Sequence, residues 1–414
     1  MIGSKKRIFV SMHYMEIGGA EMALVGLLQS LDYTNYDVDL FLHAHRGEMM
    51  QFIPKEVNLL PEIKEYAHIE CPMKQALLDG CWGALFGRLK AKWLTKRYLC
   101  KKGITESAAS FQYVADCVSP FLPSLHQFGE YDLAISFLQP HNYVAEKVTA
   151  KKKICWIHTD YSVVDVNAEL ELPIWATFDH VVSISDDVTK TFLQTFPSLE
   201  SKIIKIENIL SPKFVHHRAD EFDAMDELQP TGMDGHSIKI ISIGRFTFQK
   251  NFENIPDICQ RINMMLNENE DENEKFSIRW YIIGFGGDEQ LIRQKIEEAG
   301  MQEHVIILGK KSNPYPYIKA CDIYVQPSRY EGKSVTVREA QMLCKPVVVT
   351  NYPTASSQII DSVDGKIVPM DNEECAQGLA EFILNTELQK QITEYLKTHD
   401  YGNVGEVEKL YKLL

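Results

Sequence analysis

Short, near-continuous apolar runs recur along this chain, each followed by polar or helical sequence, and the series occurs twice. The first set is 7–12, 38–42, 133–137, 153–157 and 180–184; the second is 239–243, 279–283, 305–308, 323–325 and 346–349. Strands that read as unbroken Val, Ile and Leu rather than alternating are covered on both faces, which requires a parallel sheet with helices on each side. At 414 residues the chain exceeds what one hydrophobic core organises. The expectation is α/β: two Rossmann-like, doubly wound parallel-sheet domains in tandem, facing each other across a cleft, where ligand sites concentrate. Their limits read as 1–211 and 236–395, with a polar, weakly periodic linker region at 212–235 and a helical pattern in the last residues, 406–414.

A formal net charge of −14 argues against nucleic acid as the main partner. Nine cysteines stand singly, with no C-x-x-C pair, as buried thiols do in a reducing cytoplasm. No apolar run approaches the roughly 18 residues of a membrane span, and the N-terminal residues run directly into a strand without a signal-peptide core. The protein is expected inside the cell. The acidic run at 267–274 reads as a solvated loop.

The segment Ser328-Arg329-Tyr330-Glu331-Gly332-Lys333-Ser334-Val335, continuing through Glu339-Ala340, reads as strand, loop and helix. In an open parallel sheet such a loop lies outside the carboxyl ends of the strands, so Glu331 and Glu339 can line one crevice from different depths. A helix N-terminus aimed there favours anions. Gly244-Arg245, with Lys250-Asn251, follows the first strand of the second set and supplies two cations suited to a diphosphate. Gly18-Gly19 occupies the matching place in the first half, where a tight turn and a ligand loop are both open readings. It is not the G-x-G-x-x-G dinucleotide fingerprint. Gly284-Phe285-Gly286-Gly287 reads as a turn under close packing. His158 ends an apolar strand and is a candidate polar contact.

Asp37-Val38-Asp39 has the spacing of a D-x-D metal motif, but strand alternation puts both carboxylates on one solvent face. No His, Cys, Asp or Glu cluster has metal-ligand spacing. Residues 82–102 interleave seven Lys and Arg with Leu85, Phe86, Leu89, Trp93, Leu94, Tyr98 and Leu99, without one acidic residue. A packed surface helix explains the pattern, and contact with an anionic membrane surface is the sharper alternative.

Taken in order, the Gly-rich first loop, His158, Gly244-Arg245 with Lys250-Asn251, Glu331-Gly332, Glu339-Ala340, Lys345-Pro346-Val347-Val348 and Asp364-Gly365-Lys366 resemble the retaining glycosyltransferases of family 4, with the two-domain GT-B fold. The resemblance implies a metal-independent, cofactor-free enzyme using a nucleotide diphosphate sugar as donor. It implies that Arg245 and Lys250 bind the diphosphate, Glu331 the donor-sugar hydroxyls and Glu339 the ribose. Gly244 and Gly332, Lys333, Ser334 and Val335 would line the sugar and phosphate site, His158 would touch the sugar, and Gly18 and Gly19 would lie near phosphate and acceptor. Final helices from about 396 to 414 would cross back to the N-terminal domain and act with the linker as a hinge. Lys333-Ser334 stands where the family often has an aromatic-glycine pair, Cys344 where glycine is frequent, and residues 351–355 where many members have a double-glycine turn. In these departures the chain resembles bacterial enzymes that build capsular and other surface polysaccharides. That implies a carbohydrate or lipid-linked acceptor; the single cysteines give a cytoplasmic location, and any peripheral contact at the inner face of the cell membrane is read from residues 82–102. A nucleotide-sugar epimerase of related fold and a non-catalytic partner subunit are the competing readings.

Overall fold

The computed structural model describes residues 5–16, 18–162, 164–228, 237–267, 277–331 and 334–414. The chain forms two compact units, Met1–Ile209 with Asn403–Leu414, and Leu210–Gly402. Each is a Rossmann-like α/β unit of the kind that makes up the GT-B fold.

The strands of the first unit are β1 (Lys6–Met12), β2 (Tyr36–Leu42), β3 (Asn58–Leu59), β4 (Glu130–Ser136), β5 (Thr149–Ile157), β6 (His180–Ser183) and β7 (Ile203–Lys205). All pairs are parallel, in the order β3-β2-β1-β4-β5-β6-β7. Those of the second are β8 (Ser237–Arg245), β9 (Ser277–Phe285), β10 (Val305–Gly309), β11 (Ile323–Gln326), β12 (Val347–Thr350) and β13 (Lys366–Val368). They too are all parallel, ordered β10-β9-β8-β11-β12-β13. In each sheet the order reverses beside the first strand, between β1 and β4 and between β8 and β11. Such a switch point leaves a crevice at the carboxyl ends, because the connecting helices depart to opposite faces.

The unbroken apolar runs become fully buried strands: Ile8, Phe9 and Val10 in β1, Ile240 and Ile241 in β8, and Val347, Val348 and Val349 in β12 have no exposed surface. Residues 212–219 of the expected linker fold as the helix Pro212–Ala219, because Ser211 caps the Phe214 N–H, Pro212 takes the first turn, and Phe214 and Val215 are buried. Met225–Leu228 adds one more short helical turn with Leu228 buried, while residues 229–235 of that stretch and residues 268–274 of the acidic run lie outside the described residues. The helix Thr386–Thr398 buries Ile392 and Leu396 in the core of the second unit. Beyond it, Glu406 accepts from the Glu207 N–H, Asn403 donates to Asn208 O, and Tyr411 stacks on Tyr36 at 4.6 Å, which fasten the last residues to the first unit.

The D-x-D reading needs correction. Asp37 is exposed, but Asp39 is buried. It accepts from Tyr131 at 2.6 Å, from Arg7 at 2.9 Å and from Asn58 at 2.8 Å. Simple alternation fails because β2 lies inside the sheet and its neighbours β1, β3 and β4 bring three polar partners to this carboxylate.

Candidate active site

In the second unit the crevice forms where β8 and β11 end side by side. Lys250, in a short 3-10 turn after β8, places Nζ 2.5 Å from Glu331 Oε1 in the loop after β11; their side chains are 16% and 7% exposed. Gly244 makes room for this: a Cβ there would meet the Lys250 side chain at 3.0–3.3 Å. The same Glu331 oxygen accepts from Ser328 at 2.5 Å, and Oε2 accepts from Gln249 at 3.3 Å. A directed chain stands behind these contacts. Tyr324 donates to Gln326 Oε1, Gln326 Nε2 to Ser328 Oγ, and Ser328 to Glu331. Thr354 donates to the Glu331 carbonyl and Thr350 to the Ser328 carbonyl, so the loop is fixed from β12 as well.

A carboxylate offers about four lone-pair sites and an ammonium three donors. Glu331 therefore keeps acceptor capacity on Oε2 for a ligand hydroxyl, and Lys250 keeps donors for an anion. Arg245, the last residue of β8, is exposed and makes no ion pair among the described residues. The second unit thus brings Lys250 onto Glu331 with Gly244 beneath the Lys250 side chain, and Arg245 is the residue after Gly244 at the end of β8.

Glu339 lies deeper, in the helix Val335–Met342, 5% exposed and accepting from Tyr315 at 2.6 Å. Burial raises its carboxyl from 4.5 to about 7. Ser334 precedes this helix, with its N–H donated to Gln358 and its carbonyl accepting from Gln358. Val335, the first helical residue, is exposed; Gly332 and Lys333 lie outside the described residues. Gly284, expected as a close-packing turn, has a backbone φ of +153° and lies against Gly244, whose carbonyl a Cβ would strike at 1.9 Å. Only glycine lets the ends of β8 and β9 approach in this way.

In the first unit Gly18 precedes the helix Gly19–Ser30, and a Cβ on Gly18 would strike the Glu21 carboxylate. His158 follows β5 with its ring against Phe137 at 4.7 Å, its Nε2 buried without a hydrogen-bond partner among the described residues, and burial lowers its pKa to about 4. Close by in the fold, a cavity of about 350 Å³ is lined by His13, Tyr14, Glu70, Phe111, Gln139 and Glu171 among others. His13 Nδ1 lies 2.9 Å from Glu70 Oε1. Burial works to raise the Glu70 carboxyl, but the hydrogen bond with His13, together with Arg46 and Tyr14, more than offsets it and leaves it below its usual range. Glu171 is held above its usual range by burial, although it accepts from Gln139 and Tyr161.

The sequence reading does not find His13, Glu70, Glu171, Tyr315 or the Tyr324–Gln326–Ser328 chain. The one usable signal is positional: His13 directly follows β1, as Arg245 ends β8. Tyr315 and Glu70 reach their partners only through the fold. Among the described residues no group of three or more His, Cys, Asp or Glu is arranged to hold a metal ion.

Residues 225–399 match the family model of the glycosyl transferases group 1. The match covers less than half of the chain, and the fold shared with the solved structures below is GT-B. The chain is similar to the amylovoran biosynthesis glycosyltransferase AmsD of Erwinia amylovora, 25% identical over 40% of this chain and 44% of that one. It is also similar to the N-acetylgalactosamine-N,N'-diacetylbacillosaminyl-diphospho-undecaprenol 4-alpha-N-acetylgalactosaminyltransferase of Campylobacter jejuni, 29% identical over 30% of this chain and 34% of that one. These alignments span less than half the length of either relative. Over the whole chain the fold is that of Anabaena Alr3699/HepE, solved with UDP and glucose, at a TM-score of 0.62 and 13% identity, with 99% of each chain covered. A glycosyltransferase from Rickettsia africae gives a TM-score of 0.60 at 15% identity, covering 99% of this chain and 98% of that one.

Proposed function

We propose that this protein is a retaining, family 4-type glycosyltransferase that moves a sugar from a nucleotide diphosphate sugar to a carbohydrate or lipid-linked acceptor in bacterial envelope or capsular glycan assembly. The observation that carries the reading is the Lys250–Glu331 pair at the β8/β11 switch point, with Arg245, which has no ion pair among the described residues, at the end of β8. Glycosyl transfer develops positive charge on the sugar and negative charge on the departing diphosphate. Fixed cations aimed at the diphosphate stabilise that transition state without a metal. Arg245 and the free donors of Lys250 take the phosphate oxygens, Glu331 Oε2 accepts a sugar hydroxyl, and Glu339 accepts the ribose hydroxyls once ionised.

The acceptor occupies the cavity of the first unit. Phe111 offers an exposed ring to a sugar face, and Glu70, Gln139 and Tyr14 offer polar contacts at its walls. His158 and Gly18-Gly19 serve the donor from the same unit. All nine cysteines are free, which supports a reducing, cytoplasmic site of action. The names of the bacterial relatives support surface glycan assembly as the setting.

The test is a thermal-shift screen of nucleotide diphosphate sugars, since a ligand of the folded state raises its melting temperature, followed by nucleotide release with and without oligosaccharide or polyprenyl-diphosphate acceptors. Acceptor-dependent release that survives a chelator supports the reading. Donor conversion without acceptor points to an epimerase instead, and no donor binding to a non-catalytic subunit.

A further inference from the structure

The helix Trp82–Lys102 is turned the wrong way round for a helix of a water-soluble surface. Its buried residues are Ala84, Gly87 and Ala91, which lie against the neighbouring helix Ala109–Val118. The approach is close enough that a Cβ on Gly87 would meet the Cys117 carbonyl at 2.6 Å, and one on Gly83 would meet Phe121 at 2.6 Å. The large side chains point outward: Trp82 is 55% exposed, Phe86 60%, Leu89 48% and Trp93 59%. At 3.6 residues per turn these four positions fall within about 60° of the helix circumference, a single stripe running along half of a helix roughly 30 Å long. Leu77 and Leu78, at the end of the helix Met73–Leu78, and Phe121 add further exposed apolar surface in this part of the unit. A packed surface helix, the simpler expectation, would bury this stripe; here small residues take the inward face.

The charge around the stripe has one sign. Lys90, Lys92, Lys96 and Arg97 flank it, are exposed, and make no ion pair among the described residues; no acidic residue occurs from Trp82 to Lys102. Arg97 lies over the Trp93 ring at 5.7 Å. On a chain of net charge −14 such a stretch is a marked local reversal. An apolar stripe rimmed by Lys and Arg is the composition of a helix lying in the plane of a membrane interface, with aromatic rings in the headgroup and acyl boundary and cations on anionic lipid. No described helix is long and apolar enough to cross a membrane, so this one would lie on the surface.

We propose that the Trp82–Lys102 helix docks the protein on an anionic lipid bilayer, with Trp82, Phe86, Leu89 and Trp93 inserted and Lys90, Lys92, Lys96 and Arg97 on the headgroups. Charge complementarity selects this occupant. A second copy of the helix would bring seven further cations against the same cations.

The full chain is tested by sedimentation with phosphatidylcholine vesicles, with and without phosphatidylglycerol. Binding is expected to the anionic vesicles only, weakening with salt, and by about 100-fold in K92E/K96E/R97E. Trp156, Trp175 and Trp280 are buried, so quenching of tryptophan emission by brominated lipid reports Trp82 and Trp93 alone. Quenching is expected in the parent and lost in W82S/W93S, with an unchanged circular dichroism spectrum because both residues are exposed. Absent vesicle binding, binding without quenching, or a parent dimer that becomes monomeric in W82S/W93S would each overturn the proposal.

Discussion

Lys250 Nζ stands 2.5 Å from Glu331 Oε1, while Arg245, on the same β8-to-helix connection, has no acidic partner among the described residues. The two cations of the proposed phosphate site are therefore different in the free protein. Lys250 is neutralised and held in position, and Arg245 is a free charge. This difference gives the two residues separable signatures.

For Lys250 the signature is stability. Lys250→Met leaves Glu331 almost buried with only Ser328 and Gln249 as donors, and breaking such a pair from one side costs about 3 kcal/mol. Glu331→Gln in that background should recover part of the loss, giving a coupling of about 1–3 kcal/mol in a double-mutant cycle. Urea unfolding of the four proteins measures it; additive losses would show that the pair is not coupled.

Arg245→Ala is expected to change stability by less than about 0.5 kcal/mol, since an exposed unpaired side chain is removed. On the proposed function its effect belongs to the transition state, where loss of one donor to the leaving group is expected to lower kcat by about 100-fold or more. Melting curves and steady-state rates on the same preparation separate the two residues.

Glu339 predicts a pH dependence. Its carboxyl titrates near 4.5 when unfolded and at about 7 when buried in the fold. Within that window the folded chain holds a proton that the unfolded chain has released, so this group's contribution to stability declines as pH rises and levels off above about 7. Glu339→Gln, which can still accept from Tyr315, should remove that decline and stabilise the ligand-free protein at pH 8 by about 3 kcal/mol. If ribose hydroxyls donate to the ionised carboxylate, nucleotide binding releases this proton and tightens as pH rises towards 7. Calorimetry in buffers of different ionisation enthalpy detects the release, and it should vanish in Glu339→Gln.

The parts of this fold that are legible in the sequence are those fixed by local pattern. Unbroken runs such as Ile240-Ile241-Ser242-Ile243 mark parallel strands because both faces are covered. Glu331 is legible as a loop carboxylate because an apolar strand precedes it and a helix follows. What joins Lys250 to Glu331, Tyr315 to Glu339 and His13 to Glu70 is the switch-point topology and helix packing, which bring distant segments together without any mark in local spacing. Asp39 shows the same limit from the other side, since its solvent face exists only until β3 and β4 are in place. The Trp82–Lys102 helix adds another: periodicity reveals a stripe, but Ala84, Gly87 and Ala91 decide which stripe faces inward.

The first unit carries the opposite pH dependence to Glu339. Burial lowers His141 from 6.5 to about 3 and His158 from 6.5 to about 4, and holds His43 well below its ordinary value. Each is neutral in the fold and protonated in the unfolded chain below about 6.5, so the stability they contribute is present above that pH and is lost as pH falls towards 4. The loss is about 1.4 kcal/mol per pH unit for each imidazole. His141→Gln tests one of them: the new side chain can keep a hydrogen bond to Ser136, which His141 Nδ1 now shares at 2.8 Å, while removing the titration. Denaturation midpoints from pH 4 to 7 should fall less steeply in this variant than in the parent. Parallel curves would mean that His141 is not shielded from water as its 1% exposure implies.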